Sequence, residues 1–282
     1  MTRFIDAHHH VLDPERVEYP WMNPEIEPLR RRYDLDELAP HLTAAGVDGT
    51  VLVQAAITLG ETRANLALAA ASPMVVGVVG WADLADPALA DSLAEIRAGT
   101  GGDRLVGIRH PVHDEPDAQW LLRPAVRRGI SILGQAGLAF DLLVRPRELP
   151  AAIEVARGEP GMRFVVDHLA KPPIATGGRE PWATLLSGLA ALPNTVCKLS
   201  GLVTEADWGA WTVDELRPYV DHALAVFGPG RLLFGSDWPV CLLAASYEAV
   251  VSAATALTDG LSGAERAQLF GGTAEDVYRL GV

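Results

Sequence analysis

Short apolar runs rich in β-branched residues recur along the chain, and each gives way to a longer Ala/Leu-rich segment of helical character. Strands alternating with helices are what a parallel sheet with crossover connections requires. The runs Arg3–His8, Gly49–Gln54, Val75–Trp81, Leu105–Arg109, Leu138–Val144, Arg163–His168, Thr195–Ser200 and Arg231–Gly235 are expected as eight strands. The pattern therefore predicts an α/β fold of the (β/α)8 TIM-barrel type, with residues 1–282 as a single domain, since such barrels routinely reach about 250 residues in one unit. The run Gly129–Gly134 also reads as a strand, which would make nine. Helix starts are marked by Asp34 with Glu37, by Asp86 before Pro87, and by Ser262 with Glu265. The long unpatterned segment Val11–Tyr33, directly after the first strand, is expected to be a functional loop.

Composition narrows the partners. The chain is 49% hydrophobic and 21% charged, enough apolar material for a large core, and its formal net charge of −13 repels nucleic-acid backbones and anionic membranes. Neither partner is expected. Only Cys197 and Cys241 are cysteines, too few for a disulfide framework, so both are read as free thiols of a cytoplasmic protein. No apolar run reaches the length of a membrane span.

Three motifs carry the chemistry. In Asp6-Ala7-His8-His9-His10, strand alternation puts His8 and His10 on one face and His9 on the other, so two imidazoles can converge on one metal ion or act as an acid–base pair. The embedding Ile-Asp-Ala and Val-Leu-Asp is unlike a tag remnant. In Phe164-Val165-Val166-Asp167-His168, alternation groups Phe164, Val166 and His168, placing an imidazole at the carboxyl end of a strand, where barrel enzymes keep their chemistry. A satisfied core histidine is the alternative. In Leu232-Leu233-Phe234-Gly235-Ser236-Asp237-Trp238-Pro239, the last strand runs into a carboxylate that can ligate a metal or take a proton from water; capping a turn is the alternative.

With Tyr19-Pro20-Trp21, Val79–Leu84, Gly107-Ile108-Arg109-His110, Asp167–Pro172 and Gly235–Val240 in the same order, the chain resembles the amidohydrolase superfamily, in its branch of sugar-lactone and dicarboxylate-lactone hydrolases. The resemblance spans nearly the whole chain. It implies that His8 and His10 are the first-strand pair, His168 the mid-barrel histidine and Asp237 the last-strand aspartate that activates the hydrolytic water. A second middle-strand histidine and a bridging carboxylated lysine, present in many members of the superfamily, are missing from the pattern, which argues against a two-metal site. A single divalent ion on His8, His10, His168 and Asp237 is expected, with zinc the ion that suits nitrogen-rich ligation; relatives in this branch are known both with and without a metal.

The reaction implied is opening of a lactone, most simply a neutral sugar lactone, by Asp237-activated water. A small-molecule substrate is the expected partner, and a homodimer is compatible with the pattern. Arg109 suits a carbonyl or carboxylate oxygen through its guanidinium fork. Lys171, Trp21 and His110 complete the candidate substrate-binding set. Lysine is otherwise confined to Lys198, whose strand parity leaves it facing either the lumen or the outside. The run Arg30-Arg31-Arg32 would add cations if the first loop folds over the site, keeping dicarboxylate lactones in view. The rivals are a metal-dependent decarboxylase of the same superfamily, which would release CO₂ from an aromatic or enol acid, and a non-catalytic ligand-binding barrel.

Overall fold

A computed structural model describes residues 3–281. Eight parallel strands follow one another around a single sheet in chain order: β1 (Ile5–His9), β2 (Gly49–Val53), β3 (Val75–Gly80), β4 (Leu105–His110), β5 (Ala139–Leu142), β6 (Arg163–Val166), β7 (Thr195–Leu199) and β8 (Leu232–Phe234). The ring closes just past the end of β8. There the Asp237 backbone N–H donates to the His8 carbonyl at 2.8 Å, and the His10 N–H donates to the Trp238 carbonyl at 2.7 Å. Helices lie between consecutive strands, so the architecture is the (β/α)8 barrel.

Strand alternation sorts the core into two parts. Leu52, Val78, Ile108, Phe140, Phe164 and Phe234 face the helical layer. Ile5, Val51, Val79, Val106, Ala139, Val165 and Leu233 gather in the lumen although their strands are not all neighbours, and Val277, Tyr278 and Leu280 pack into the same cluster. The C-terminal helix Thr273–Tyr278 thus lends side chains to the lumen packing. A filled lumen leaves chemistry to the rim, where the loops meet.

Local signals explain most helix limits. The Asp34 side chain accepts from Glu37 N, and the helix Leu35–Ala45 ends at Gly46 with φ +70°. Ser262 and Glu265 form a reciprocal capping box. Asp86 instead folds a turn by accepting from Ala88 N at 2.8 Å, and the helix starts only at Leu89. Gly129–Gly134 is not a ninth strand: it lies within the helix Pro124–Gln135, whose Val126, Ile130 and Leu133 bury one face at helical spacing. The six-residue run was too short to separate strand from helix by periodicity. The loop Val11–Tyr33 is ordered by a bridge between Leu12 and Tyr33, bonded in both directions at 3.0 and 2.9 Å, and the Tyr33 ring stands edge-on to Trp238. Among the described residues no helix is long and apolar enough to cross a membrane, and both cysteines are buried and unpaired.

Candidate active site

The first strand reaches the site through a bulge. Asp6 pairs with Thr50 but His9 pairs with Leu52, so three steps along β1 match two along β2. Asp6 is turned to the β8 side, accepting from Ser236 N at 2.9 Å and from the Tyr247 hydroxyl at 3.1 Å. Beyond the extra residue, His8 and His10 meet at 3.2 Å between their Nε2 atoms, while His9 bonds outward to the Thr50 hydroxyl at 3.0 Å. The expected grouping of the three histidines is what the structure shows, but plain alternation would have carried Asp6 along with His8.

His168 arrives by a different route from the one alternation suggests. β6 stops at Val166, and His168, Leu169, Ala170 and Lys171 all adopt left-handed backbone at φ +53°, +50°, +58° and +52°. Such conformations cost about 1 kcal/mol or more per non-glycine residue. The turn is anchored by the Trp182 indole donating to the Leu169 carbonyl at 2.6 Å. Asp237 is left-handed too, at φ +58°. Gly201, at φ +62°, lies so close that a Cβ there would stand 2.6 Å from His168 Nδ1 and 3.2 Å from Asp237 Oδ2.

These routes converge. Asp237 Oδ1 lies 3.6 Å from His8 Nε2, 3.5 Å from His10 Nε2 and 4.0 Å from His168 Nε2. His8, His168 and Asp237 each offer a ligand atom within 4.8 Å of the others. Donors around a tetrahedral ion held at about 2.0–2.1 Å are separated by about 3.3 Å, so the two nitrogens and one oxygen of His8, His168 and Asp237 suit a divalent ion, with His10 Nε2 beside them at 3.2 Å from His8 Nε2 and 3.5 Å from Asp237 Oδ1. The His10 ring supports that fit: its Nδ1–H donates to the Val53 carbonyl at 2.8 Å, leaving a lone pair on Nε2.

Beneath the imidazoles lies a buried charge network that the motifs did not reveal. Lys198 contacts Asp141 Oδ2 at 2.6 Å, Asp167 Oδ1 at 2.9 Å and His8 Nδ1 at 3.1 Å. Tyr278 donates to Asp141 Oδ2 at 2.6 Å. Arg109 donates to Asp167 Oδ2 at 3.0 Å and to the Gln54 carbonyl at 2.5 Å, and its Nη1 stands 3.3 Å from His8 Nε2. Lys198 therefore faces the lumen, settling the parity left open by sequence. An aspartate inside the apolar run Leu138–Val144 was the available signal for Asp141. Ser200 bonds His168 Nδ1 at 2.8 Å.

Burial and charge set the protonation states. Burial lowers His168 to about 4 and, with Lys198, takes His8 well below its ordinary value, so neither imidazole carries a charge at neutral pH. Burial pushes Asp237 upward, but His168, His10 and His8 outweigh it and hold the carboxyl below its usual range. Asp167 behaves likewise under Lys198, His8 and Arg109. Asp141 is raised to about 6 by burial, against the pull of Lys198.

The remaining candidates are placed less centrally. Lys171 is bonded to Glu205 at 2.5 Å. Trp21 donates to the Ala55 carbonyl at 2.8 Å, with Tyr19 edge-on beside it. His110 has both nitrogens occupied, by the Trp81 indole at 3.2 Å and by Glu115 at 2.9 Å, and stacks on Trp120. The arginines of the first loop do not cover the site: Arg30, Arg31 and Arg32 pair locally with Glu27, Glu37 and Asp34.

A closed (β/α)8 barrel with imidazoles and a carboxylate gathered at the carboxyl ends of its first, sixth and last strands has the architecture of a barrel enzyme. More particularly, the chain belongs to the amidohydrolase family, whose pattern it matches over residues 5–280. It is 40% identical to a protein of Burkholderia multivorans named L-fucono-1,5-lactonase, over 98% of this chain and 96% of that one. A Burkholderia ambifaria protein of the same name is 40% identical over 99% and 97%. Among solved structures, an amidohydrolase from Burkholderia multivorans with bound Zn superposes with a TM-score of 0.92 at 40% identity, covering all of both chains.

Proposed function

We propose that the chain hydrolyses a lactone, with a sugar aldonolactone of the L-fucono-1,5-lactone type as the substrate class. The observation that carries the reading is an anionic Asp237 held against His8 and His10 at the barrel mouth, in a chain 40% identical over nearly its full length to proteins named for that hydrolysis. Asp237 takes a proton from the attacking water as its oxygen bonds to the ring carbonyl carbon. Arg109, fixed by Asp167 and the Gln54 carbonyl, holds positive charge beside the imidazoles, where the carbonyl oxygen becomes an oxyanion. As the ester C–O bond breaks, the proton on Asp237 passes to the departing ring oxygen, which leaves as a hydroxyl on the product acid. His168, held by Ser200 and kept neutral, completes the wall around the reacting carbon.

His8, His10, His168 and Asp237 are the residues that would hold a divalent ion, and zinc suits three imidazoles and a carboxylate. When bound, such an ion supplies an acidified water and a Lewis acid for the carbonyl. A carboxyl held below its usual range is a weak base for plain water, which favours the ion-assisted form of the reaction.

The test is opening of L-fucono-1,5-lactone by chelator-stripped protein before and after stoichiometric Zn²⁺ or Mn²⁺, followed with a pH indicator against a panel of other aldonolactones. Turnover restored by the ion is expected. Failure of every aldonolactone in both states would overturn the substrate class, and an undiminished rate in stripped protein would overturn the ion.

A further inference from the structure

The helix Leu59–Ala71 opens with the same sequence signature as two others in the chain and uses it differently. At Thr212 with Glu215 and at Ser262 with Glu265, the glutamate reaches back to the backbone N–H of its own cap residue and closes a capping box. Thr58 likewise accepts from Glu61 N at 3.1 Å. The Glu61 carboxylate, however, passes over Thr58 and reaches two and three residues further back into the loop after β2, where Oε2 accepts from Ala56 N at 2.7 Å and from Ala55 N at 3.0 Å. Glu215 and Glu265 lie exposed at the surface, whereas Glu61 is buried. Burial raises its carboxyl to about 7, against the pull of the two N–H groups and of Arg109. A helix cap does not need a carboxylate withdrawn from water at such a cost; the loop does.

Each N–H that Glu61 grips belongs to a planar trans peptide unit whose carbonyl points the other way. The unit joining Gln54 to Ala55 has its N–H on Glu61 and its C=O on Arg109 Nη2 at 2.5 Å. The unit joining Ala55 to Ala56 has its N–H on Glu61 and its C=O on the Trp21 indole N–H at 2.8 Å. Fixing the N–H of a rigid plane fixes the direction of its carbonyl, so the two bonds to one carboxylate oxygen determine where both acceptors are aimed.

We propose that Glu61 is a positioning residue for the reaction: by holding two successive peptide planes it aims one carbonyl at Arg109 and the next at Trp21, and so sets the guanidinium beside the imidazoles and the aromatic side chain of the first loop without touching either. The inference rests on the reading of Arg109 as the group beside the developing oxyanion for its effect on rate only. A glutamate that served only to start its helix would act on stability and leave Arg109 and Trp21 in place.

The first measurement is turnover of L-fucono-1,5-lactone by wild type, Glu61→Ala, Glu61→Gln and Thr58→Ala. Glu61→Ala releases both planes, and kcat is expected to fall about tenfold to a hundredfold, the upper figure corresponding to a misplacement of about 1 Å at the reacting centre. Glu61→Gln keeps an oxygen for the two N–H groups and is expected to bring kcat back to within about threefold of wild type. Thr58→Ala removes the cap of the same helix, leaves the carboxylate, and is expected to turn over at the wild-type rate. Glu61→Asp, which keeps the charge and shortens the reach by one methylene, replaces Glu61→Ala if that variant does not fold. A wild-type kcat in Glu61→Ala, a loss in Glu61→Gln as large as in Glu61→Ala, or equal losses in Thr58→Ala and Glu61→Ala would each overturn the proposal. The second measurement is hydrogen exchange at the Trp21 indole N–H by ¹H–¹⁵N NMR, with the signal assigned by its loss in Trp21→Phe. Exchange is expected to quicken about tenfold or more in Glu61→Ala and to stay unchanged in Thr58→Ala; unchanged exchange in Glu61→Ala would overturn the proposal. If wild type opens no lactone, the reaction reading fails, and the indole exchange alone decides the role of Glu61.

Discussion

Replacing Gly201 by alanine puts a single methyl group against the cluster, and its effect can be worked from the structure. The new Cβ would lie 2.6 Å from His168 Nδ1 and 2.8 Å from its Cγ, where ordinary contact begins at 3.4 Å. The ring must therefore retreat by about 0.8 Å and loosen its 2.8 Å bond to Ser200. A misplacement of about 1 Å at a reacting centre can cost on the order of a hundredfold in rate. The left-handed backbone at φ +62° adds a stability loss of about 1 kcal/mol for any residue with a Cβ. Gly46 isolates that backbone cost, because its φ is +70° and a Cβ there meets nothing within 4 Å. Urea unfolding should show both alanine variants destabilised by about 1 kcal/mol. Lactone turnover should fall by about a hundredfold in Gly201→Ala and stay at wild-type level in Gly46→Ala. Rates within about threefold of each other in the two variants would refute the steric argument.

Asp237→Asn should fold normally and lose between about a hundredfold and ten-thousandfold in kcat, because an amide cannot take the proton; activity within about tenfold of wild type would remove Asp237 from the base role. His168 remains neutral down to about pH 4 in the folded chain, whereas the unfolded imidazole takes its proton near 6.5. Its effect on stability is constant above that upper value and turns progressively unfavourable as pH falls from 6.5 toward 4, so His168→Asn should grow more stable relative to wild type across this window. A difference in unfolding free energy that stays flat from neutrality to pH 4 would contradict that assignment. Tyr247→Phe removes the hydroxyl bonded to Asp6 at 3.1 Å and should cost about 1 kcal/mol in urea unfolding without moving KM; a shift in KM would mean that Asp6 controls substrate binding as well as the seam.

The barrel was legible in the sequence because its strands are short apolar runs spaced by helices, and all eight appear where the pattern put them, with ends displaced by a few residues. Gly129–Gly134 was misassigned because Ile130, Ile132 and Leu133 satisfy either period over so short a stretch. The rim histidines and Asp237 were visible as polar residues ending apolar runs. Alternation could not show how they reach the site: a bulge carries His8 inward, and a left-handed turn carries His168. Asp141 and Tyr278 stayed hidden because they are joined only through space, by the lumen contact of the C-terminal helix. Gly201 matters through a close approach that no local pattern encodes.

The two backbone bonds that close the ring are made by the site segments themselves, Asp237 N–H to the His8 carbonyl and His10 N–H to the Trp238 carbonyl. The first and last portions of the chain, more than two hundred residues apart, are sewn together at the spot where a ligand would sit. Closing such a long-range seam in an unordered chain would carry a loop-closure entropy cost that ordering of the intervening strands lowers. A molecule gripping His8 and Asp237 together acts as a clasp on a bracelet: its binding free energy adds to the resistance of the whole ring against opening. Opening at this seam parts His8 and His10 from Asp237, so a barrel unzipped at β1 and β8 loses the convergence that would hold its ligand.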